Sequence, residues 1–274
     1  ISIVMLYMLV QPKLGNGTAL ISSGVLACSP MFVHYSQMAR NYSLMVLLVI
    51  MSFYFFDRLL KRFTWSHILS YSLTIYLATL THYYSIFFVL AQIVLMIHHE
   101  LKNNKLLWRW VFMYLVVAIC YIPWLPALYI QFFMRNPTEQ SLLSPFSFGT
   151  ILEQFYALGF WPSLTELYIS KVTSMILKIS NVIILLSLIL YGLVKSQIKK
   201  NNNIAIFIVW GVVPILLGLV VAFAKPLYSV KSLLPVLPAF SVLIAIGIMQ
   251  ISNMFNLRLL VIGCLGTIMI VSQL

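Results

Sequence analysis

Ser29 to Ser43, read as SPMFVHYSQMARNYS, is the densest polar cluster beside an apolar run in this chain. Arg40 keeps its charge at any working pH and presents a planar fork of N–H donors. Held at a membrane boundary by polar neighbours, it offers a seat for a phosphate. On a continuous helix His34, Gln37 and Asn41 would share one stripe, with Arg40 at its edge. Tyr35, Met38 and Tyr42 would lie on another face. Ser29-Pro30 reads as the helix start. Serine caps the first free N–H groups, and proline has no N–H to lose there.

The surrounding composition decides what carries this cluster. The chain has 274 residues, 62% hydrophobic and 8% charged. Soluble domains hold about 25% charged residues, and serial apolar runs of roughly twenty residues identify membrane helices. A transmembrane barrel would show short alternating segments instead. The expected fold is therefore all-α, a polytopic transmembrane helix bundle. The net charge of +12 sits mostly in short loops between apolar runs. That placement sets orientation and argues against nucleic acid as a partner. Cys28, Cys120 and Cys264 all lie inside apolar runs without metal-ligand spacing and read as small core or lipid-facing residues.

About ten spans are expected. Ile1 to Gln11 reads as the last half of the first, and Pro12 to Gly17 as a tight turn. Thr18 to Val33 delivers the chain to the Arg40 cluster. Further spans cover about Tyr42–Phe56, Thr64–Thr81, Ser85–Ile97 and Trp110–Ile130, the last with Pro123 and Pro126 kinking or breaking its end. Gln131 to Lys171 is the one long loop. Within it Thr150 and Glu153 fit a capping box that opens a short amphipathic helix lying on the membrane surface. Val172–Val194, Ile204–Ala224, Leu233–Ile251 and Leu259 to the end complete the set. The chain starts within an apolar run without methionine. It reads as a single transmembrane domain, 1–274, lacking a first span and first outer loop.

Alternate loops differ in charge. One side carries eleven Lys and Arg, including Lys13, Arg58, Lys61, Arg62 and Lys195, and the other six, including Arg40 and Lys231. The richer side is expected to be cytoplasmic. Arg40, His82, the long loop and Lys231 then face outward.

With that sidedness in place, SPMFVHYSQMARNYSL, followed by a span ending in FFDRLLKR, resembles multi-span glycosyltransferases of the GT-C fold. The chain is most similar to the protein-O-mannosyltransferase-like group (glycosyltransferase family 39) and related bacterial lipid-linked-sugar transferases. LTHYYSIFFVL near His82, CYIPWLPAL near Trp124 and VKSLLPVLPAFSVLIAIGI near the C-terminus agree in order and spacing. The resemblance implies transfer of a sugar from a polyprenyl-phosphate carrier to a protein, lipid or glycan hydroxyl, with inversion, on the extracytoplasmic face of the plasma or inner membrane. It also implies an acidic catalytic residue in the first outer loop, upstream of Ile1, so this piece alone is expected to be inactive. Relatives commonly carry Arg-Tyr where this chain reads Lys231-Ser232.

Such a reaction must stabilise charge on the departing phosphate, deprotonate the acceptor and exclude water. Arg40 is the first candidate for the donor phosphate and Lys231 the second. His34, Gln37, Tyr42, His82 and Tyr83 are candidates for the donor or acceptor pocket. Each has a plainer role as well. Arg40 can snorkel to headgroups, Lys231 can be a loop lysine, and His82 with its tyrosines can belong to an aromatic belt. His98-His99 is rejected as a metal pair, because adjacent helical side chains point apart. No cofactor is predicted, and a divalent metal is left open. Glu139 and Glu166 of the long loop could meet acceptor. The alternatives to an enzyme are a transporter or flippase of lipid-linked sugars, which needs polar groups deep in its spans, and a non-catalytic membrane scaffold. Such residues are sparse here, mainly Ser and Thr, with Gln92 and Lys178.

Overall fold

The structure is a computed structural model that describes residues 1–102, 108–133, 171–196, 202–224 and 230–251. Every regular element among them is helical: α1 (Ser2–Cys28), α2 (Pro30–Gln37), α3 (Tyr42–Lys61), α4 (Trp65–Thr81), α5 (Ser85–Lys102), α6 (Trp108–Tyr121), α7 (Leu125–Phe133), α8 (Lys171–Lys195), α9 (Asn202–Ala224) and α10 (Leu237–Gln250), with 3-10 turns at Ile122–Trp124 and Val230–Val236. The protein is an all-α helical membrane bundle. The long loop with its surface helix and the span from Leu259 lie outside the described residues, as do Glu139, Glu153, Glu166 and Cys264.

α1 is a hairpin rather than a rod. Gly15 takes φ 85° and ψ 168°, inside the expected turn at 12–17. A straight helix would separate Ile3 and Ser23 by about 30 Å, yet Ser23 Oγ donates to the Ile3 carbonyl at 3.3 Å. The two halves therefore run side by side, and only a residue without a Cβ takes that φ readily.

The hairpin tip marks one end of the bundle. The buried Lys13 ammonium pairs there with Asp57, in the last turns of α3, and Lys61 reaches the same carboxylate at 2.8 Å. Burial pulls the Lys13 ammonium below its ordinary pKa, and the Asp57 charge opposes that. Asn203, at the start of α9, donates to the Lys13 carbonyl at 3.3 Å. Lys13, Arg58, Lys61 and Arg62 thus gather together, as the charge count expects. At the opposite end lie the α2–α3 junction and the α4–α5 turn.

Packing holds the helices in this order. Phe53 of α3 stacks on Trp210 of α9 with ring centroids 4.1 Å apart and planes 8° from parallel. The Trp210 indole donates to the Pro235 carbonyl at 2.9 Å. Around Gln92 four helices share a closed polar chain. Tyr71 donates to Gln92 Oε1 at 2.8 Å, Gln92 Nε2 donates to Ser52 Oγ at 2.7 Å, and the Tyr71 and Tyr114 hydroxyls meet at 2.8 Å. Outward faces are apolar: Trp65, Leu69, Leu73 and Leu77 form an exposed stripe along α4. Such a stripe suits lipid and not water.

Among the described residues three helical stretches are long and apolar enough to cross a membrane: Tyr42–Lys61, Trp108–Ile130 and Asn203–Val221. The expected count of about ten is not established by them. Two expected spans differ in detail. The segment from Leu233 enters as a 3-10 turn, and α10 starts only at Leu237, because Pro235 and Pro238 lack the N–H groups a helix interior needs. In Trp108–Ile130 the Pro123 region is a 3-10 interruption, close to the break expected from its prolines.

Candidate functional site

The Arg40 cluster is built on a break. Ser29 occupies the N-cap of α2 in extended conformation with Pro30 behind it, as expected. Its hydroxyl, however, makes no capping bond and is a buried oxygen without a partner among the described residues. α2 then stops at Gln37, and Met38 turns extended at φ −75°, ψ 138°. The Arg40 N–H bonds the Met38 carbonyl at 2.8 Å, a tight reversal. The continuous stripe of His34, Gln37 and Asn41 is therefore not formed. Asn41 becomes the N-cap residue of α3 instead.

This break brings the cluster onto the α4–α5 turn. The Asn41 side-chain amide does not cap its own helix; it donates to the Thr81 carbonyl, where α4 ends. Tyr42, the first residue of α3, lies 5.9 Å ring to ring from His82, and His82 stacks on Tyr83 at 4.8 Å. On its other side Tyr42 meets Tyr35 at 5.2 Å, and Tyr35 meets His34 edge-on at 5.2 Å. Four of the expected site residues, His34, Tyr42, His82 and Tyr83, thus form one chain of rings in which Tyr35 joins His34 to Tyr42. An unbroken helix would put Tyr35 on a face with Met38 and Tyr42, apart from His34, and the sequence does not mark Tyr35 as a site residue. Nor does it show that Asn41 ties the two loops. The signal available was an Asn directly before a helical run, a residue type that bonds backbone outside its own helix.

Arg40 and Gln37 are exposed at the edge of this chain of rings. The Arg40 side chain forms no hydrogen bond or ion pair among the described residues, but its charge reaches the Tyr35 phenol. Burial pushes that phenol up to about 12, the neighbouring Tyr42 adds to the rise, and Arg40 opposes it. Lys231 is exposed at the start of the 3-10 segment, which packs on α3, α9 and α10.

His82 has a defined role. The Tyr84 N–H donates to His82 Nδ1 at 3.3 Å, so the neutral ring carries its proton on Nε2. Burial lowers its pKa below the ordinary 6.5, which keeps it neutral near pH 7. The ring is thus set to donate from Nε2, for example to a hydroxyl or phosphate oxygen. With Nδ1 engaged it is not placed to remove a proton. The described carboxylates do not supply a base here either. Asp57 is held by Lys13 and Lys61 at the far end, and Glu100, near the far end of α5, pairs with His99 at 3.2 Å.

The bundle thus gathers Arg40, His34, His82 and several tyrosines at one end. Residues 1–130 match the family model described as dolichyl-phosphate-mannose-protein mannosyltransferase, which supports a GT-C-like membrane glycosyltransferase of the mannosyltransferase type. No curated protein and no solved structure matches the chain. The matched stretch contains the whole chain of rings and Arg40; Lys231 lies beyond it.

Proposed function

We propose that the protein transfers a sugar from a polyprenyl-phosphate-linked donor to an acceptor hydroxyl on the extracytoplasmic face of the cell membrane, which it crosses several times. The observation that carries this reading is the junction of the α2–α3 break with the α4–α5 turn. It places Arg40, Tyr42, His82 and Tyr83 together at the end away from the Lys13 basic cluster. Arg40 neutralises the departing phosphate, with Lys231 as a second cation. His82 donates from Nε2 to an oxygen of the sugar or phosphate, and the tyrosine rings with His34 and Gln37 border the sugar. A base from outside the described residues takes the acceptor proton. The polar groups around Gln92, which a flippase would need as an open path, are bonded to one another and buried.

The test is transfer from a radiolabelled polyprenyl-phosphate mannose by membranes carrying the full-length protein. Arg40→Ala is expected to lower turnover about 100-fold or more, the usual effect of removing one donor to developing charge, at unchanged expression. Arg40→Lys should recover part of it, since the point charge remains without the fork. Wild-type rates in Arg40→Ala would remove Arg40 from the site.

A further inference from the structure

The end of the bundle opposite the proposed transfer site holds a cavity of about 390 Å³. Its two walls differ in character. Met8, Leu9 and Pro12 of the α1 hairpin make an apolar side, and Arg58, Lys61 and Arg62, with the His67 ring beside them, make a cationic one. Cations that only orient a membrane protein need to be in the right loops; they need not converge on one apolar-walled hollow.

The charges there are not balanced. Asp57, which also lines the cavity, already takes Lys13 and Lys61. Among the described residues no carboxylate lies within ion-pair distance of Arg58 or Arg62. Arg58 is nevertheless held in place. Its guanidinium donates to the Tyr54 hydroxyl at 2.7 Å and sits 4.9 Å from that ring's centroid. The backbone fixes His67 in turn. Its Nδ1 lies 2.9 Å from the Arg62 carbonyl, the acceptor there, so Nδ1 carries the proton and the neutral ring keeps Nε2 as a lone-pair acceptor.

We propose that this cavity binds the phosphate of an anionic lipid headgroup or of a free phosphate compound, with Arg58 and Arg62 as the phosphate ligands. Two guanidinium forks can each address a pair of phosphate oxygens, and Met8, Leu9 and Pro12 accommodate the glycerol or acyl root of a lipid. The site is separate from the proposed transfer site and stands whether or not that reading holds.

The full chain, purified in neutral detergent, is titrated with dioleoyl-phosphatidate, with inorganic phosphate and with dioleoyl-phosphatidylcholine. Retained ligand is counted by native mass spectrometry and thermal stability is followed in parallel. Phosphatidate is expected to bind at one site about tenfold or more tightly than phosphatidylcholine, and Arg58→Gln/Arg62→Gln to lose that margin. Lys195→Gln, which removes a cation at the same end outside the cavity, should keep it. Binding of phosphatidate alone assigns a lipid headgroup; binding of both phosphatidate and phosphate assigns a general phosphate site. Equal retention of phosphatidate and phosphatidylcholine, or an unchanged margin in a folded Arg58→Gln/Arg62→Gln protein, overturns the proposal. Should that pair fail to fold, Arg62→Gln alone decides by the same margin.

Discussion

The Tyr84 amide on His82 Nδ1 couples protonation of one ring to the shape of the α4–α5 turn. Burial depresses the folded pKa below the ordinary 6.5, so the unfolded chain binds a proton first as pH falls. Stability contributed by the neutral ring is complete above about pH 6.5 and is lost as pH drops from there through the folded value. Melting in detergent should therefore fall between about pH 7.5 and about pH 5.5, and His82→Gln should flatten that dependence. An identical slope in the variant would mean another group titrates. At the other end, Lys13 is a cation whose only carboxylate partner among the described residues is Asp57, and its side chain is 2% exposed. Asp57→Asn leaves that ammonium buried without a counter-charge and is expected to cost about 3 kcal/mol. Adding Lys13→Met should restore most of the loss, because an apolar side chain has no charge to strand. Denaturant unfolding of both variants separates the pair's worth from the penalty of breaking it.

Between helices, α8 and α10 approach backbone to backbone. A Cβ built on Gly192 would lie 2.6 Å from the Gly247 nitrogen, and one on Gly247 would collide with the Leu188 carbonyl oxygen. Small residues let membrane helices meet backbone to backbone. Gly247→Val has only backbone to displace, so it is expected to destabilise by about 3 kcal/mol, read as a lowered melting temperature. Gly24→Ala, which meets open space, should leave melting unchanged. This contact was not visible in the sequence, where both glycines are single breaks in apolar runs. Helices and their ends were more legible. Gly15 fell inside the expected turn, and His82-Tyr83-Tyr84 formed the expected short connection. What misled was helical continuity. Nothing between Phe32 and Tyr42 is a strong breaker, so a 3.6-residue period runs across Met38 unopposed and separates Tyr35 from His34, the ring it meets edge-on. The late start of α10 has the same origin: an apolar run states burial but not whether prolines at 235 and 238 delay the helix.

Across the whole molecule the charges sort by end. Lys13, Asp57, Lys61 and Asn203 are joined at one by direct bonds. The rings from His34 to Tyr83 sit at the other, one helix length away along both α3 and α4. Lys231 is linked to that second end only through chain direction. α9 leaves the Lys13 end at Asn203, and α10 returns to it, since Met249 packs over Gly17 beside the hairpin tip. The segment between them must therefore approach from the far side. Single cysteines test this in a background with Cys28, Cys120 and Cys264 replaced by Ala. Gln37→Cys and Lys231→Cys, both exposed, should react with a membrane-impermeant maleimide from the same side of sealed vesicles, and Arg62→Cys only from the other. Labelling of positions 37 and 231 from opposite sides would separate Lys231 from Arg40 and leave one cation, not two, for the donor phosphate. The proposed loss in Arg40→Ala would then have to be complete, with Lys231→Ala silent in the same transfer assay.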